Sequence, residues 1–212
     1  MQITSWLSDN YLEIFGAVTG ILYVFLEIRQ NIWLWPVGIA TSAVYIIVFF
    51  TNKFYADMGL QGYYLVISVL GWYWWVNGRG LRAQGSGQGA KGSEHRAQGG
   101  KQRAELQVSR LKIKTGITLL LIWLAIYAGM WFVLDRFTDS PVPAWDSFIT
   151  SLSIIATWML ARKIYEHWYL WLIVNAAAVL LFITRGLYPT VILYLIYFIM
   201  SFAGLREWKR SL

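Results

Sequence analysis

The sequence predicts an all-helical protein that crosses a membrane seven times. Three observations carry that prediction. Of the 212 residues, 58% are hydrophobic, 17% aromatic and 14% charged, against about 25% charged and 45–50% apolar in an ordinary soluble domain. A globule of this size has too much surface to hide that many apolar side chains. The apolar residues gather into seven windows, and seven spans of roughly 20 residues each would use about 140. The basic residues collect on alternate connections between those windows. What remains is ends and loops, with no room for a soluble catalytic domain.

Each window is bounded by charge, proline or glycine. The first, Tyr11–Ile28, has Glu13 and Glu27 near its ends and Arg29 just beyond it. The residues ahead of it have no basic region and no small-residue cleavage site follows it, so it reads as a retained first helix and not a signal peptide. The second, Ile32–Phe50, carries Pro36 in its first turn, a usual helix-start position. The third is Met58–Val76, after Asp57. The stretch from Asn77 to Lys114 is polar and rich in Gly, Gln, Lys and Arg, a composition that predicts a flexible tether. Gly116–Leu134, Ser147–Ala161, Trp168–Thr184 and Leu187–Leu205 complete the set. The expected organisation is a three-helix unit over 11–76, a cytoplasmic linker over 77–114, a linking helix over 115–134 and a second three-helix unit over 145–208.

The net charge of +7 belongs to topology. Nine of the eighteen Lys and Arg residues lie in the linker, and the positive-inside rule puts that segment in the cytoplasm. The same side then receives Arg29, Arg162, Lys163, Arg206, Lys209 and Arg210, while Lys53, Arg136 and Arg185 face the other. The N-terminus is expected outside and the C-terminus inside. Nucleic-acid binding is set aside, because the basic residues mark a membrane side and not a binding stripe.

An internal repeat emerges when the chain is shifted by 133 residues. Arg29–Trp75 matches Arg162–Trp208 without gaps, with ten identities that include Trp35/Trp168, Tyr64/Tyr197, Ser68/Ser201, Gly71/Gly204 and Trp75/Trp208. Four crossings separate equivalent helices, so both halves insert in the same direction. Parallel repeats about an axis along the membrane normal recur among transporters, with the substrate site between the halves.

Several activities lose their chemistry. Without cysteine there is no disulfide, thiolate metal site or thiol nucleophile. The two histidines, His95 and His167, form no metal box. No ionisable residue falls in the middle of a window, which argues against a proton relay or a carboxylate ion site. No nucleophile or acid–base pair converges, so the chain is not read as an enzyme, and no cofactor is implied. The windows hold neutral polar and aromatic residues instead. Thr41 and Ser42 lie midway along the second. Gln61, Tyr64 and Ser68 share one helical face, as do Trp168, Trp171 and Asn175, and Tyr194, Tyr197 and Ser201 repeat the first of these stripes. Such stripes suit a flat neutral or cationic ring bearing hydroxyls, held by stacking and cation–π attraction. Against this stand interfacial anchoring for Trp33, Trp35, Trp72, Trp74, Trp75 and Trp168, helix–helix hydrogen bonding for Asn175 and Gln61, and close packing for Gly38, Gly71 and Gly204.

Trp145-Asp146-Ser147, Ala161-Arg162-Lys163 and Trp168-x-x-Trp171-x-x-x-Asn175 resemble the PnuC family of bacterial nicotinamide riboside transporters. So do Tyr55-Ala-Asp57, Gln61 and Gly71-Trp72-Tyr73-x-Trp75 in the first half. The resemblance covers the chain except its first ten residues and the Gly-rich linker. It implies a three-plus-one-plus-three bundle similar in plan to SWEET proteins, set in the bacterial inner membrane, a homotrimeric assembly, and inward passage of nicotinamide riboside by facilitated diffusion without ion coupling. A separate cytoplasmic kinase would trap the product. Gln61, Tyr64, Trp168, Trp171 and Asn175 are the expected ligand residues. Thr41, Ser42, Ser68, Asp146, Ser147, Tyr194 and Tyr197 are further lining candidates, with Asp146 and Ser147 at the entrance. The chain has Thr41 and Ser42 where relatives place Asn. The alternatives are another vitamin, such as thiamine, on the same fold, or a membrane ligand sensor that does not translocate.

Overall fold

The computed structural model describes residues 11–51, 55–77 and 106–212. They form seven α-helices: α1 (Tyr11–Ile28), α2 (Leu34–Thr51), α3 (Tyr55–Asn77), α4 (Ile113–Phe137), α5 (Pro143–Ala161), α6 (His167–Thr184) and α7 (Tyr188–Lys209). Each helix coincides with one apolar window. Most of the expected tether, 78–105, lies outside the described residues. Helices α4 to α7 are each long and apolar enough to cross a bilayer, and α1 and α2 contain the apolar stretches Ile14–Ile28 and Leu34–Val48. Large apolar side chains stand on the outside, among them Ile47, Val66, Leu121, Phe132 and Ile199. In water such a surface would drive aggregation; in lipid it has its proper solvent.

Two helix ends are built alike. After α1, Gln30 adopts φ 50°, and the N–H groups of Gln30 and Asn31 donate to the carbonyls of Glu27 (3.0 Å) and Leu26 (2.9 Å). After α5, Lys163 adopts φ 49°, and Lys163 and Ile164 donate to Leu160 and Met159, both at 2.9 Å. Each is a left-handed stop that satisfies carbonyls the helix leaves bare. Neither residue is glycine, so each carries a local cost of about 1–2 kcal/mol, which the surrounding packing must offset. Gln30 and Lys163 stand 133 positions apart.

Helix α1 packs on α2, α2 on α3, α3 on α5, α5 on α6, α6 on α7, and α7 back on α1. These six close a ring, and α4 leans on α5 outside it. At the end of the ring where the α1–α2 and α5–α6 connections lie, four tryptophans form a floor. Trp35 and Trp168 are fully buried because Gly71 and Gly204 offer bare backbone, and a Cβ at either glycine would strike the facing indole. Trp35 meets Trp75 edge-on at 5.4 Å, Trp168 meets Trp208 edge-on at 5.9 Å, and Trp75 and Trp208 join the pairs at 6.4 Å.

This arrangement overturns the interfacial reading for Trp35, Trp75 and Trp168, none of which is more than 4% exposed. Trp33 and Trp72, at 65% and 42%, do present their rings outward. Distance from a helix end sets depth, but the facing backbone sets which way a ring turns. Below the floor, the Arg162 guanidinium covers Trp74 at 3.8 Å and Lys163 Nζ sits 4.3 Å over Trp75. Burial lowers the Arg162 pKa from its usual value. The chain returning toward α4 is strapped to the α5–α6 connection. Ser109 N–H donates to the Lys163 carbonyl, Tyr165 N–H donates to the Ser109 carbonyl (both 2.9 Å), and Leu111 N–H donates to Glu166 Oε2 (2.7 Å). Leu106 is buried against the tryptophan floor.

Candidate functional site

Inside the ring lies a cavity of about 310 Å³, at the small end of the roughly 300–1,000 Å³ usual for ligand pockets. All six ring helices line it and α4 contributes nothing. Of the five residues expected to hold ligand, Gln61 and Tyr64 reach it from α3, and Trp168, Trp171 and Asn175 from α6. Thr41, Ser42, Ser68, Tyr194 and Tyr197 line it as well. Helical spacing brings them there: stripes three and four apart stay on one face, and the ring turns those faces inward.

Asp146 and Ser147 stand away from this wall. Asp146 Oδ2 accepts a hydrogen bond from Ser140 Oγ at 2.7 Å in the first turn of α5, and Ser147 is fully buried elsewhere. The cavity face of α5 is Ile149, Ser153 and Thr157; Ser147, two residues before Ile149, falls on another side of the helix.

The wall also holds residues the sequence reading did not select. Helix α1 contributes Gly16, Thr19, Gly20, Tyr23, Val24 and Glu27. The small and polar positions 16, 20, 23 and 27 follow helical spacing and could have been found by the stripe test applied to α3. Ser153 and Thr157 each donate to their own helix, to the carbonyls of Ile149 and Ser153 at 2.8 Å, which commits their protons and leaves lone pairs for the cavity. Eighteen of the 22 lining residues fall into nine pairs 133 positions apart, including Gly38/Trp171, Ser42/Asn175, Gln61/Tyr194 and Ser68/Ser201. Thr19, Tyr23, Glu27 and Trp168 make up the rest.

The chemistry of the wall is aromatic, amide and hydroxyl. Asn175 Nδ2 donates to Ser201 Oγ at 3.2 Å, and that hydroxyl donates to the Tyr197 carbonyl at 2.8 Å. Asn175 therefore both bridges α6 to α7 and faces the cavity. The indole N–H groups of Trp168 and Trp171 are buried without an acceptor among the described residues. A buried unmet donor costs about 1–3 kcal/mol, which a ligand oxygen would relieve. Among the described residues no Lys or Arg lines the cavity, and Glu27 is the one charged residue that does. It lies in the last turn of α1, as the sequence shows, yet it is only 2% exposed. It stands at a span end, as the sequence places it, and still reaches the cavity.

A ring of helices that is apolar outside and encloses a cavity of aromatic rings, amides and hydroxyls suits a membrane carrier for small molecules. The family model described as nicotinamide mononucleotide transporter matches residues 10–210, and the chain belongs to this family. It is similar to the nicotinamide riboside transporter PnuC of Escherichia coli (strain K12), with 24% identity over 207 residues, covering 95% of this chain and 86% of that protein. It is also similar, at 24% identity over 214 residues, to the riboflavin/roseoflavin transporter RibM of Streptomyces davaonensis, covering 96% and 92% of the two chains. A crystal structure of the vitamin B3 transporter PnuC superposes with a TM-score of 0.69 at 20% identity, over 99% of this chain and 85% of that one. The chain is thus a multi-pass inner-membrane protein of the PnuC family of vitamin transporters. The family is one of transporters and not of enzymes.

Proposed function

We propose that the protein takes up nicotinamide riboside by facilitated diffusion, and that Gln61, Tyr64, Trp168, Trp171 and Asn175 hold it. The cavity wall carries this reading. Trp168, Trp171 and the tyrosines suit a pyridinium ring, Asn175 and Gln61 suit the carboxamide, and the Ser and Thr hydroxyls suit the ribose. Phosphorylated forms would bring negative charge to a wall that holds Glu27 and, among the described residues, no Lys or Arg, so the nucleotide is excluded although the family carries its name. The inside-negative potential alone favours entry of a monocation by about 2.3 kcal/mol per 100 mV. Phosphorylation by a separate cytoplasmic kinase then traps the cargo.

The same proposal includes a three-plus-one-plus-three parallel repeat with the N-terminus outside. The matched left-handed stops at Gln30 and Lys163, the two Trp–Gly contacts and the nine lining pairs support the repeat. The distribution of basic residues supports the orientation. A homotrimer belongs to this reading too, and native mass measurement in detergent tests it.

Proteoliposome counterflow tests the transport reading. Labelled nicotinamide riboside should exchange at equal pH inside and out, and the mononucleotide should not compete. Binding without counterflow would point to a sensor. The likeness to RibM favours a second reading, with riboflavin as cargo. Stronger competition by riboflavin, or by thiamine, than by unlabelled nicotinamide riboside would reassign the cargo.

A further inference from the structure

Glu27 has a partner that sequence distance conceals. Its Oε1 lies 3.0 Å from Nε2 of His167, 140 positions away, and the pair joins α1 to the start of α6. His167 is fully buried, and its Nδ1 lies 2.7 Å from the Ile164 carbonyl. A carbonyl can only accept, so Nδ1 carries a hydrogen. Nε2 then faces the Glu27 carboxyl, and a shared proton closes that contact.

The imidazole is packed among aromatic rings. Trp168 and Trp208 flank the imidazole at 4.8 and 4.6 Å, and Trp208 Nε1 donates to the Glu27 backbone carbonyl at 2.9 Å. Tyr23, on α1, and Tyr64, on α3, line the same cavity. The loop cations Arg162 and Lys163 lie over Trp74 and Trp75, and Glu166 accepts from Leu111 N–H. At the positions 133 away, Glu27 corresponds to Leu160 and His167 to Leu34. The pair therefore exists on one side of the ring only.

We propose that Glu27 is the charge-selecting residue of the cavity and that His167 holds it in place. Among the described residues Glu27 lines the cavity and His167 does not, so an entering cationic ring meets the carboxyl end of the pair, and an uncharged ring of the same shape gains nothing there. This rests on the reading of the cargo as nicotinamide riboside and extends it to why a charged ring is chosen over an uncharged one.

Titration calorimetry on the purified full chain tests it. The probes are nicotinamide riboside and its uncharged dihydro form. The charged form should bind at least tenfold more tightly than the uncharged one. Glu27→Gln keeps the size and hydrogen-bonding capacity of the side chain beside His167, so it should fold, and thermal unfolding checks that it does. In this variant preference for the charged form should fall at least tenfold. Equal binding of the two forms by the unaltered chain, or unchanged preference in folded Glu27→Gln, overturns the proposal and leaves the cargo reading standing. No binding of nicotinamide riboside overturns the cargo reading and this assignment with it.

Discussion

The two ends of the offset of 133 residues invite a direct comparison. Trp35 against Gly71 and Trp168 against Gly204 are the same contact made twice, as are the stops at Gln30 and Lys163. Yet Trp168 lines the cavity and Trp35 does not, and Gly38 stands where Trp171 stands across the ring. The first half contributes Glu27, and its counterpart is Leu160. Shared residues build the frame, and the residues that differ give the cavity its direction. Trp168 and Trp171 on α6 line the cavity together with Gly38, Thr41 and Ser42 on α2.

The sharpest way to break this comparison is at the matched glycines. Gly204→Val and Gly71→Val each force an indole from its seat, and overpacking costs about 1–3 kcal/mol of stability. Both should lower the thermal midpoint in detergent. Only Gly204→Val should also abolish ligand binding in calorimetry, because only Trp168 faces the cavity. Equal loss of binding in the two variants would show that the floor acts as one unit.

A smaller effect separates Asn175 from its counterpart Ser42. Asn175→Ala removes an amide from the wall and the bond to Ser201, and should weaken binding by at least about 1 kcal/mol. Ser42→Ala should change affinity less than half as much in the same measurement. Unchanged affinity in Asn175→Ala would return that residue to the role of helix bridge.

Tyr63 and Tyr64 sharpen the line between frame and site within one helix. The Tyr63 hydroxyl donates to the Ile154 carbonyl at 2.8 Å and fastens α3 to α5. Tyr63→Phe should cost about 1 kcal/mol of stability and leave affinity unaltered, whereas Tyr64→Phe should move affinity. Thermal unfolding and calorimetry on the same samples decide it. The smallest change is expected at Trp33, which is 65% exposed. Trp33→Ala should shift stability by under about 0.5 kcal/mol and transport in proteoliposomes not at all.

The stripes on α3, α6 and α7 were legible because their spacing is local: Gln61, Tyr64 and Ser68 share a face whatever surrounds them. Asp146 and Ser147 were drawn in by a motif, and helical phase turns Ser147 away from the wall. Glu27 was visible only as an acidic residue near a span end, and His167 as one beginning a helix. Neither looks like half of a buried pair, because nothing local links positions 140 apart.

Apolar windows, charge placement and the 133-residue offset needed only the chain itself, since hydrophobic matching to a bilayer and helical periodicity act over tens of residues at most. The tertiary structure decided which tryptophans turn inward, which helices close the ring and which charged groups meet. Those outcomes depend on bare backbone at Gly71 and Gly204 coming to face an indole, and on α1 reaching the first turn of α6. Contacts between distant segments are set by packing in three dimensions, where a single glycine or the rotation of one helix determines what the cavity presents to its ligand.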